Sequence, residues 1–89
     1  MRLFVENLSR SVTHAELNNI GIVYGKLISA NVATTLSNGQ SKGFGFLEFS
    51  NDDEGRAAIA ALDGKDLHGQ VLKVTEAGAP WTKVAGLRS

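Results

Sequence analysis

The segment Lys42-Gly43-Phe44-Gly45-Phe46-Leu47-Glu48-Phe49 constrains the fold more than any other part of the chain. With the two-residue period of a strand, Lys42, Phe44, Phe46 and Glu48 share one side, while Gly43, Gly45, Leu47 and Phe49 share the other. Charges bracket two aromatic rings on the first side, so that side faces water or a ligand and the second faces a core. Arg2 to Glu6 repeats the arrangement, with Leu3 and Val5 on one face and Phe4 between Arg2 and Glu6 on the other. Two such strands call for a sheet that is covered on one side only.

The remaining segments supply that cover. Thr13 and Glu16 have capping-box spacing, Val12 and Leu17 stand where a hydrophobic staple would, and Leu17, Ile20 and Tyr24 continue at helical spacing. Gly25 is expected to stop this helix in the left-handed conformation. Leu27 to Thr35 alternates Ala30 and Val32 against Ser29 and Asn31 and reads as a strand, turned back by Ser37-Asn38-Gly39-Gln40 into Lys42–Phe49 as a hairpin. Asn51 caps a second helix whose first turn holds Asp52, Asp53 and Glu54. Its buried stripe is Gly55, Ala58, Ile59 and Leu62, and Asp63-Gly64 ends it. Val71 to Thr75 reads as the last strand, with Leu72 and Val74 inward. The order β-α-β-β-α-β implies a ferredoxin-like α+β fold, a four-stranded antiparallel sheet with two helices on one face.

At 89 residues the chain has room for one core, expected over residues 1–77, with residues 78–89 as a tail. Trp81 in that tail lies within reach of the sheet edge. The uncharged stretches are far shorter than a membrane span, and Met1 to Glu6 holds no apolar signal core, so no membrane association is expected. The absence of Cys removes disulfides and thiolate metal sites and fits a cytoplasmic setting, or a nuclear one in a eukaryote. Nine basic and nine acidic residues cancel, so any polyanion partner must be held by a local surface and not by a global field.

On these residues the chain resembles the RNA recognition motif family. The family's octapeptide, basic-Gly-aromatic-Gly-aromatic-aliphatic-x-aromatic, is matched at every position by Lys42 to Phe49, and its hexapeptide by Leu3-Phe4-Val5-Glu6-Asn7-Leu8. The likeness covers about residues 2 to 77, and Ala58 to Lys65 with Val71 to Ala77 is similar to small stand-alone bacterial members. The resemblance implies that Phe4 and Phe46 each stack under a base, that Phe44 lies against the sugars between them, and that Lys42 meets a phosphate. Arg2, Asn31, Lys73 and Thr75 fall on the same face by alternation, with hydrogen bonds to bases or phosphates as their expected role. The expected partner is single-stranded RNA, with single-stranded DNA as the related ligand, bound by a monomer. Three departures stand out. Glu6 occupies a position that is often Gly, Gly21 replaces an aromatic that the family often buries and is expected to leave a void for Ile22 or Tyr24, and Gly55 replaces an Ala-like residue.

Other chemistries find little footing. His14 and His68 are far apart in sequence with no acidic partner at ligand spacing, so each is expected to be a surface histidine, with no metal. Asp52-Asp53-Glu54 is explained by the helix dipole. Gly43-Phe44-Gly45 lies inside a strand and is no phosphate loop. No enzymatic constellation and no cofactor are expected. The alternative is a peptide-docking domain of the same fold, for which Lys65 to Gly69 lacks the Arg-x-Phe pair that some family members use. For the rings themselves the structural alternative is cover by the tail through Trp81, Val84 and Leu87.

Overall fold

The computed structural model describes residues 1–77; the expected tail, including Trp81, Val84 and Leu87, lies outside the described residues. The elements are β1 (Arg2–Glu6), α1 (His14–Ile22), β2 (Leu27–Thr34), β3 (Ser41–Phe49), α2 (Asp52–Leu62), β4 (Asp66–Leu67), β5 (Gln70–Val71) and β6 (Lys73–Glu76). The main sheet has the order β2-β3-β1-β6, all neighbours antiparallel, so β1 and β3 are its two central strands. Helix α1 packs on β2 and β3, and α2 on β1, β3 and β6. The ferredoxin-like architecture is therefore present.

The core lies between sheet and helices and follows the alternation. Leu3 and Val5 of β1, Leu47 and Phe49 of β3, Val32 and Val74 are buried, and they meet Leu17 of α1 with Ala58 and Leu62 of α2. Each large side chain buried in this way contributes roughly 1.5–3 kcal/mol. No polar or charged residue is buried among those described.

The helix caps form in part as expected. Thr13 accepts a hydrogen bond from Glu16 N, and Asn51 accepts from Asp53 N and Glu54 N. The capping box is only half made, because the Glu16 carboxylate is engaged by His68 Nε2 instead of reaching back to the cap. Gly25 does not take the αL conformation. Helix α1 ends at Ile22, and Gly25 has φ +156°, where a Cβ would collide with the Glu54 side chain at 2.4 Å. That side chain accepts from Lys26 N and so pins the start of β2 to α2.

The expected last strand, Val71 to Thr75, is divided. Val71 belongs to the short β4–β5 hairpin, and the sheet strand runs from Lys73 to Glu76. The cause is the turn at His68 and Gly69, both at positive φ (+56° and +82°), the combination that closes a two-residue hairpin with the twist of its strands. Leu72 and Val74 are inward as expected.

No void forms at Gly21. It is buried, and a Cβ there would lie 3.0 Å from Leu47 Cδ2 and 3.1 Å from Leu27 Cδ1. The space is filled from β2 and β3, while Ile22 is exposed and Tyr24 packs at the core margin.

Gly45 is the tightest point of the sheet. A Cβ would lie 2.6 Å from the Asn31 carbonyl oxygen and 3.0 Å from Leu17 Cδ2. Backbone of a paired strand cannot retreat without breaking the ladder, so Gly45→Ala is expected to cost about 1–3 kcal/mol by overpacking. Denaturant unfolding measures it, and an unchanged midpoint would mean that β2 can move.

Candidate nucleic-acid interface

The register of the sheet arranges the open face in rows. Asn31 pairs with Phe46, Phe46 with Phe4, and Phe4 with Thr75, so one row crosses all four strands. On one side of it lie Phe44, Glu6 and Lys73, and on the other Ser29, Glu48 and Arg2, again each opposite the next. Seven of the sequence-predicted residues are thus brought together. The register does not place Lys42 with them. Between Val32↔Gly45 and Thr34↔Ser41 the β3 strand carries extra residues in a bulge, with Gly43 at φ +86°, so simple alternation does not extend through Gly43 to Lys42.

The three rings form one cluster. Phe4 and Phe46 stack with centroids 5.3 Å apart and planes 22° from parallel, and Phe44 meets both edge-on, at 5.5 Å from Phe4 and 6.3 Å from Phe46. All three are half-buried by one another and by the flanking chains, whereas Phe49, on the opposite side of β3, is 1% exposed. The Arg2 guanidinium carbon lies 5.2 Å from the centroid of Phe46, a cation–π contact that covers part of this ring. A planar ligand on Phe46 must stack against Arg2 or displace it.

The charges on the face alternate in sign. Arg2 is opposite Glu48, and Lys73 opposite Glu6. Ser29 completes the Arg2–Glu48 row. The alternation that marks Asn31 marks Ser29 equally, so Ser29 is a face residue that the expected site did not include.

The histidines lie elsewhere and have partners. His14 Nδ1 accepts from Val32 N at 2.9 Å, tying the start of α1 to β2. His68 meets Glu16, an acidic partner 52 residues away that no local spacing reveals. Among the described residues no group of three His, Cys, Asp or Glu could hold a metal ion, and no helix is long and apolar enough to cross a membrane.

A family model for the RNA recognition motif matches residues 3–73. The chain is similar to the RNA-binding protein CP31B, chloroplastic, of Arabidopsis thaliana, with 41% identity over 76 residues, 85% of this chain and 26% of that protein. It spans about a quarter of the length of this and other plant relatives. The protein RbpE of Nostoc sp. is 40% identical over 77 residues, 86% of this chain and 78% of its own length. Among solved structures, the RNA binding protein PG1 superposes with a TM-score of 0.84 at 36% identity, covering 86% of this chain and 93% of that one. The Sxl-lethal protein in complex with RNA gives 0.83 at 26% identity, over 85% of this chain and 46% of that one.

The two faces of β3 predict different losses of stability. Phe49→Ala is expected to cost about 3–5 kcal/mol through a core cavity. Phe46→Ala removes ring–ring contacts of about 0.5–1.5 kcal/mol each and the Arg2 contact, but opens no core cavity and so costs less. Chemical denaturation of both variants checks the contrast, and equal losses would contradict the assignment of faces.

Proposed function

The chain belongs to the RNA recognition motif family, and from that premise we propose that it binds single-stranded RNA by stacking bases on Phe4 and Phe46. The observation that carries this reading is the ring cluster itself: three phenylalanines grouped on the uncovered face of the two central strands. Apolar surface of this kind is costly in water, and planar bases are the ligand that rings at this spacing accept with little regard to sequence.

In this reading Phe44, edge-on to both other rings, contacts the sugar between the two stacked bases. Asn31 and Thr75, at the ends of the Phe46–Phe4 row, hydrogen-bond base edges or sugars. Arg2, Lys73 and Lys42 meet phosphates, which position the strand but read no base. Residues 1–77 act as the binding domain and 78–89 as a tail. The domain works as a monomer, without catalysis, and single-stranded DNA serves as the comparison ligand. The peptide-docking alternative draws no support from Lys65 to Gly69 at the β4–β5 hairpin, which holds no Arg-x-Phe pair.

Phe4→Ala and Phe46→Ala are each expected to weaken binding of short oligoribonucleotides by ~1–3 kcal/mol, with the domain still folded by circular dichroism. Unchanged affinity in both variants would refute the stacking platform.

The salt response is a separate expectation. With at most about three phosphates neutralised by Arg2, Lys42 and Lys73, log K should fall against log salt with a slope of roughly −2. Lys42→Ala should flatten the slope by under about one unit. A slope steeper than about −4 would place the binding on cations off this face.

A further inference from the structure

Glu6 presents an unsolved cost on a face that receives a polyanion. It lies on central strand β1, two residues from Phe4 on the same side, directly opposite Phe44 on β3 and opposite Lys73 on β6. It is half-buried, and its carboxylate takes part in no hydrogen bond or ion pair among the described residues, Lys73 included. Glu48 at the other end of the ring cluster differs, because Arg2 stands opposite it and brings a cation to the neighbouring ring. Glu6 therefore offers two acceptor oxygens beside two of the three rings, with desolvation already partly met and no protein donor committed to them.

A carboxylate so placed repels phosphate and accepts only from a donor. The donors that a stacked nucleotide brings to its own plane are those of the base edge. Guanine alone carries two adjacent donors, N1–H and the N2 amine, that one carboxylate can receive together. Adenine and cytosine offer one amine beside a ring nitrogen acceptor, and uracil offers one N–H between two carbonyls. Resting on the stacking function proposed above, we infer that Glu6 is a specificity residue, selecting a base with paired Watson–Crick donors, guanine first and uracil last, at the Phe4 position.

The test is equilibrium titration of the full chain with labelled hexaribonucleotides on a pyrimidine background, in which one position at a time is G, inosine, A, C or U. At one position G is expected to bind about tenfold tighter than U, the scale of a good two-bond base contact. Inosine, which lacks the N2 amine, should fall between them. Glu6→Gln keeps shape but removes charge and adds a donor, so it should tighten the U-containing strand while reducing the advantage of G to under about threefold. A shift of all sequences by one factor in Glu6→Gln would show that Glu6 acts only through its charge and would overturn the inference. Equal binding of G and U by the unaltered chain would overturn it too. Phe46→Ala keeps the two failures apart, since it should weaken every sequence alike; if no oligonucleotide binds, or Phe46→Ala has no effect, the stacking function itself fails.

Discussion

The approach of β2 and α1 onto Gly45 is the contact on which the binding face depends. Gly45 stands between Phe44 and Phe46, and its missing Cβ admits both the Asn31 carbonyl of the neighbouring strand and a methyl of Leu17. One consequence is lateral, since β2 can pair with β3 closely enough to put Asn31 opposite Phe46. The other is vertical, since Leu17 reaches the underside of the strand whose upper side carries the rings. A side chain at this position would separate helix from sheet beneath the binding surface, and the ring spacing above it would change with the twist of β3. Core packing and ligand geometry are thus two sides of one residue.

What the sequence made legible is what period and caps encode. The two faces of β1 and β3 follow from alternation, and both helix starts follow from Thr13 and Asn51, whose side chains accept the expected amide hydrogens. What it did not make legible depends on distant partners. The β4–β5 hairpin has two-residue strands, too short for any period, and its turn uses a histidine at positive φ where asparagine or aspartate is the usual signal. The partner of Glu16 is 52 residues away. The filling of space at Gly21 is decided by Leu27 and Leu47, which belong to other elements. On the face itself, Lys42 was read by an alternation that the bulge at Gly43 interrupts.

A chain of zero net charge offers a polyanion no global attraction, so a strand is best held by a local surface whose attraction does not rest on charge. The ring cluster meets that condition because stacking on an aromatic plane does not depend on ionic strength, whereas contacts to phosphate release counterions and weaken with salt. The opposed charges, Arg2 across from Glu48 and Lys73 across from Glu6, add no surplus of positive charge to these rows. In the proposed mode such a face would discriminate through base edges more than through phosphate, since it offers the backbone little attraction.

The hairpin that escaped the sequence reading is tied to the end of this face. Asn7, directly after Glu6, takes φ +64°, a conformation that asparagine tolerates better than most residues, and its side-chain amide donates to Val71 O at 2.8 Å. Gln70 returns the contact by donating to Asn7 O at 3.0 Å. On the other side, Leu8 N donates to Gly43 O at 2.8 Å, closing the end of β1 against the bulge of β3. The row Phe44, Glu6, Lys73 therefore ends in a backbone held from both flanks, while His68 anchors the far end of the hairpin to Glu16 on α1. Side chains carried by a backbone fixed in this way lose less freedom when a ligand arrives, and so more of each contact remains as affinity. The β4–β5 hairpin thus holds in place the strand end from which Glu6 and Phe4 project, and in the proposed binding mode that is its contribution.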